Sequence, residues 1–154
     1  MKKLFAIVIA MIIIAMASSS AYACSCALTS QEESVKNTPL IFTGKVLSAK
    51  IVRQIYEPFT FKINLIEVKF QVMNVLKGEL TNKTVSVITP QQGMTCGIDE
   101  WSELYKGDEW LIYTGPERTK FSQLETNRCS RTAPATRNQD IPYLINLNRQ
   151  TKFA

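Results

Sequence analysis

The chain has 154 residues, 45% of them apolar and 20% charged, with 18 basic side chains against 13 acidic ones. The net charge of +5 is mild and points away from nucleic acid, where a clustered basic face is expected. Histidine is absent, which removes Ser–His and Cys–His catalytic pairs and every His-based zinc site.

Residues 1–23 read as an export signal. Lys2 and Lys3 form a positive start, Leu4 to Ala17 an apolar stretch short for a membrane span, and Ala21-Tyr22-Ala23 an A-x-A cleavage site. Cleavage after Ala23 leaves residues 24–154, 131 residues (154 less 23), enough for one domain with a real core. Two lysines depart with the signal, so the balance falls to 16 basic against 13 acidic side chains, or +3. The expected location is secreted or periplasmic, with no membrane span left after signal removal. Lipidation of Cys24 fits poorly, because Ala21 and Tyr22 stand where a lipobox wants an aliphatic and a small residue.

The cysteines are Cys24, Cys26, Cys96 and Cys129. An even count in an exported chain reads as two disulfides. A Cys24–Cys26 bond closes a very tight, strained ring, so the pairings that join the N-terminal pair to the two distant cysteines are favoured. Oxidation also removes thiolate chemistry. The residues therefore argue against an enzyme, and no cofactor or resident metal is expected.

The elements follow in order. Cys24 to Pro39 is polar and irregular, with a short helical turn over Gln31 to Lys36. Leu40 to Val52 reads as a strand, in which Gly44 marks a bulge or a close backbone approach. Gln54 to Thr60, with Pro58, reads as a loop. Phe61 to Leu76 is a long strand whose apolar parity changes: Ile63 and Leu65 are odd, Val68, Phe70 and Val72 even, Val75 odd again. Such a change means inserted residues, hence β-bulges. Lys77-Gly78-Glu79 is a turn and Thr84 to Thr89 a short strand. Pro90 to Gly97 and Trp101 to Gly107 are loops. Glu109 to Thr114 and Lys120 to Cys129 read as strands. Asp140 to Asn148 reads as a terminal helix with Ile141, Leu144, Ile145 and Leu147 inward and Pro142 in its first turn. The expected fold is all-β with a minor helix: an OB-fold-like, five- to six-stranded Greek-key barrel with a C-terminal helix, a β-sandwich being the competitor.

Several stretches occur in a telling order: Cys24-Ser25-Cys26 at the mature start, Val75-Leu76-Lys77-Gly78, Val87-Ile88-Thr89-Pro90, Cys96-Gly97, Glu109-Trp110-Leu111-Ile112-Tyr113, and Cys129. In this ordered set the chain resembles the netrin-like domain, in particular the N-terminal domain of the tissue inhibitors of metalloproteinases, over nearly all of residues 24–154. The Met-Lys-Lys start of the signal and the lack of the further cysteines and second domain of animal inhibitors fit a bacterial member. The resemblance implies a Cys24–Cys96 and a Cys26–Cys129 disulfide. It also implies an inhibitor of zinc metalloendopeptidases, a monomer whose partner is the protease and whose Cys24 amine and carbonyl chelate the protease zinc. In that reading Ser25, Cys26, Ala27 and Leu28 lie along the cleft, and Met94 and Thr95 widen the contact. The alternative is a non-inhibitory netrin-like binding or structural module of the cell envelope.

Overall fold

The computed structural model describes residues 26–27, 29–56, 62–91, 96–98, 106–115 and 124–152. Among them are a short helix α1 (Gln31–Asn37), strands β1 (Ile41–Tyr56), β2 (Lys62–Lys77), β3 (Thr84–Pro90), β4 (Glu109–Tyr113), β5 (Leu124–Glu125) and β6 (Ala133–Pro134), and a terminal helix α2 (Asp140–Lys152). The strands form one curled, half-barrel sheet in the order β5-β3-β2-β1-β4-β6. All neighbours are antiparallel except β3 and β5, which run parallel.

The curl comes from β1 and β2. Each is 16 residues long, and their register shifts four times. Val46 opposes Phe70 and Ser48 opposes Lys69, so Leu47 is an extra residue in β1; by the same reading Val52 is extra in β1, and Met73 and Leu76 in β2. Each insertion bends the bulged strand and increases its twist. The parity change between Val72 and Val75 is thus the expected bulge, at Met73. The one between Leu65 and Val68 is not: Ile66, Val68 and Phe70 are all buried, and the nearby extra residue, Val52, belongs to the facing strand. Gly44 lies at a register shift, and a Cβ there would stand 3.0 Å from the Gln71 carbonyl oxygen.

Two apolar layers hold the sheet. One contains Phe42, Val46, Ile66, Val68, Phe70, Val87, Trp110 and Ile112, with the Phe42 and Phe70 rings edge to face at 6.0 Å. The other contains Val35 of α1, Ile41, Leu111, Tyr113 and Leu144 of α2. Successive residues of β1 and β4 go to opposite layers. This explains why Trp110-Leu111-Ile112-Tyr113 is an unbroken apolar run: both faces of β4 are covered.

Three expectations need correction. The segment over Gln54 to Thr60 is not wholly loop, because pairing with β2 carries β1 to Tyr56. The strand expected over Lys120 to Cys129 does not run through to Cys129: among the described residues of that stretch only Leu124–Glu125 pairs, and Cys129 lies in a 3-10 turn, Arg128–Ser130, while 120–123 lie outside the described residues. Ile145 does not point inward; it is exposed, whereas Leu144 is buried and Ile141 and Leu147 pack against the core. No helix among the described residues is long and apolar enough to cross a membrane.

Candidate functional site

The cysteines define a corner of the molecule. Cys26 is bonded to Cys129 across 103 residues of sequence, with Cα atoms 5.2 Å apart. The sulfur of Cys96 lies within 4.8 Å of both of theirs. The N-terminal segment, the loop after β3 and the turn after β5 therefore meet at one point. No cysteine among the described residues is free, so the cluster offers no thiolates to a metal.

Each arm of the corner is fixed locally. In the turn, the Asn127 side chain accepts from the Cys129 amide at 2.9 Å, and the Ser130 hydroxyl donates to the Asn127 carbonyl at 2.6 Å. This side-chain competition with the ladder is what ends β5 so early. The turn is seated on the sheet through Thr126, whose amide donates to the Ile88 carbonyl at 2.9 Å and whose hydroxyl donates to the Tyr113 carbonyl at 2.7 Å. In the loop, Cys96 has a left-handed backbone (φ 53°) and its carbonyl accepts from the Arg128 amide at 2.9 Å. Gly97 is packed against the backbone of Pro90, and Ile98 is buried in the first apolar layer. In the N-terminal arm Ala27 is exposed, and Ser30 caps α1 by accepting from the Glu33 amide at 3.1 Å. Glu32 and Glu33 in the first turn suit the helix dipole.

Beside the corner lies a polar cluster that the sequence did not disclose. Asp140, the first residue of α2, is 2% exposed. Its carboxylate accepts from Arg131 Nε at 2.7 Å and Nη2 at 2.6 Å, from the Tyr113 hydroxyl at 2.8 Å and from Gln31 Nε2 at 2.9 Å. Burial alone pushes this carboxyl up, but the hydrogen bonds from Arg131 and Tyr113, with the Arg131 charge, outweigh it and hold the group below its ordinary value. Burial, reinforced by the neighbouring carboxylate, pushes the Tyr113 hydroxyl well above its usual range, so it stays a donor. The available signals were a buried-strand tyrosine needing a partner and an aspartate at the head of an apolar helix.

Of the sequence-predicted residues, Cys26, Cys96 and Cys129 are brought together, and Ala27 is exposed one residue from the bridge. Cys24, Ser25, Leu28, Met94 and Thr95 lie outside the described residues. The corner thus ties the segment at Cys26 and Ala27 to the turn at Cys129. No family model matches the chain, and no curated protein matches it.

Proposed function

We propose that this chain is an exported inhibitor of zinc metalloendopeptidases, acting through the amine and carbonyl of Cys24 once the signal is removed. The observation that carries the reading is the Cys26–Cys129 bridge with the Cys96 sulfur beside it. It tethers the chain two residues after the proposed mature start, and it is one of the two pairings that the netrin-like resemblance implies. The second, Cys24–Cys96, belongs to the same reading, as does an OB-fold barrel for the curled sheet.

The chemistry is simple. A catalytic zinc keeps an open position filled by water. An α-amine and its own carbonyl oxygen form a chelate that replaces that water. The amine must be neutral to bind, and an α-amino group titrates near about 7.7–8.0, so the metal readily displaces its proton. A bridge at the chelating residue itself and another two residues on order it beforehand, which lowers the cost of association. In this reading the Ser25 side chain enters the pocket beside the zinc, Ala27 and Leu28 continue along the cleft as a substrate strand does, and Met94 and Thr95 extend the contact.

A second reading has its own support. Leu47, Ile51 and Val52 are exposed on β1, between 38% and 54%, as a surface for a protein partner would be. It describes a non-inhibitory envelope module that binds through the sheet.

The test is inhibition of a panel of zinc metalloproteases by the oxidised mature protein and by a form with one alanine added before Cys24. Inhibition by the first and not the second is the expected result. Equal inhibition by both would refute the chelate. Inhibition by neither would favour the envelope module.

A further inference from the structure

We propose that Asp140 is a positioning residue for the N-terminal segment, holding in place both chain arms that the Cys26–Cys129 bridge joins. The inference rests on the inhibitory reading for its purpose, though not for its geometry.

The geometry is a closed ring. Gln31 lies five residues after Cys26 and Arg131 two residues after Cys129. Both donate to the same carboxylate: Gln31 Nε2 and Arg131 Nη2 to Oδ1 at 2.9 and 2.6 Å, Arg131 Nε to Oδ2 at 2.7 Å. The disulfide closes the other side of the ring. Tyr113 anchors it to β4 through its hydroxyl, 2.8 Å from Oδ2. A carboxylate has about four acceptor sites, and these four donors use them all. Asn138 adds a second grip, accepting from the Asp140 amide at 2.8 Å and donating to the Arg131 carbonyl at 3.2 Å. Arg131 is thereby fixed at both its backbone and its side chain, in a left-handed conformation (φ 65°) that an arginine rarely adopts unaided.

The packing of α1 makes this anchoring consequential. α1 has seven residues and only Val35 of them is buried. So short a helix is not stable alone. Besides Val35, the Lys77 ammonium ties its last turn, donating to the Val35 and Lys36 carbonyls at 2.6 and 3.0 Å. Its first turn, nearest Cys26, is tied to the body through Gln31 and Asp140. Releasing Asp140 frees the end of the helix that continues into the proposed zinc-binding residues while leaving the other end held.

Three variants test this: Asp140→Asn, Gln31→Ala and Arg131→Lys. The readouts are amide hydrogen exchange along the oxidised protein and inhibition of a protease that the wild type inhibits. Asp140→Asn is expected to speed exchange over residues 29–34 by about tenfold more than at Phe70 and Val87 in the core. Inhibition is expected to weaken by about the same factor, because ordering must then be supplied on binding. Gln31→Ala removes a single half-buried hydrogen bond and leaves the core intact, so it keeps the test alive if Asp140→Asn folds poorly; its effect is the same in direction and smaller. Arg131→Lys keeps the charge without the two-pronged grip and should fall between wild type and Asp140→Asn. Exchange that rises equally in segment and core would make the role one of general stability and overturn the proposal. Unchanged inhibition despite a loosened segment would overturn it too. A loosened segment in a protein that inhibits no protease would support the anchoring while defeating the inhibitory reading, so the two failures are distinguishable.

Discussion

Gly97 sits where a methyl group has no room: a Cβ would overlap the Pro90 carbonyl oxygen and carbon. Both obstacles are backbone, so neither can swing aside. Gly97→Ala is expected to cost about 3 kcal/mol or more, and a urea titration will show it as a lowered midpoint. It also displaces the neighbouring Cys96 from the bridge it adjoins. Asp140 acts by charge instead of by space. Its carboxyl is held below its ordinary value, so the ionised form favours the folded state. Its contribution is therefore complete above the unfolded value of about 4 and is lost as pH falls through the folded one. The groups facing it are Arg131, Tyr113 and Gln31. Of these, Arg131 carries the charge that is left unpaired, and its side chain is 35% exposed, so it can turn in part to water. Asp140→Asn is accordingly expected to cost about 3 kcal/mol at neutral pH, the lower end for a broken buried pair. The variant should also flatten the loss of stability below pH 4, as read from urea midpoints across pH 2–7.

At the scale of elements, the bulges explain an oddity of the surface. Leu47, Val52 and Met73 are among the large apolar side chains left exposed, and all three are inserted residues without a cross-strand partner. They serve the sheet by their presence in the backbone rather than by their side chains. Leu47→Lys should therefore leave stability within about 0.5 kcal/mol of wild type. Deleting Leu47 is different: Val46, Ser48 and Ala49 keep Phe70, Lys69 and Val68 as partners and keep their faces, but the bend that the bulge puts into β1 is lost, so the thermal midpoint should fall by several degrees where Leu47→Lys leaves it unchanged. Local signals in the sequence carried much of this architecture. The stretch Gln31 to Lys36 read as a helical turn where α1 stands, the apolar run marked β4, and the parity break marked the Met73 bulge. The other bulges were hidden because an extra residue is defined only against a partner, and the partner strand is not known in advance. The same limit hid the Asp140 cluster, since Gln31 and Asp140 are 109 residues apart. The strand expected over Lys120 to Cys129 missed the turn because the Asn127 side chain's bond to the Cys129 amide is a local competition that the strand reading did not weigh.

For the whole molecule, the central question is what the Cys26–Cys129 bridge does for a fold that has its core elsewhere. The two apolar layers are built from β1 to β4, Ile98, α1 and α2, and neither contains Cys26 or Cys129. The bridge joins the start of the described chain to a turn near its end, closing a loop of 103 residues. In the chain-entropy description a loop of that length restricts the unfolded state by about 4.7 kcal/mol. Replacing both cysteines with serine should therefore lower the urea midpoint substantially while preserving the cooperative transition and the β-sheet circular dichroism, because the layers survive. Under the inhibitory reading the functional loss is larger than the stability loss. In that variant α1 is still held by the Gln31–Asp140 hydrogen bond, the Lys77 bonds to its last turn and the packing of Val35, and Cys24 by its proposed bridge to Cys96, but the tether at Cys26 between them is gone. Inhibition measured where the variant is still fully folded should fall by at least about a hundredfold, since the ordering that the bridge supplied must be repaid at every encounter. If the folded double-serine variant inhibited as well as wild type, the bridge would be a staple for stability alone. The chelating residue would then need no preorganisation from Cys26.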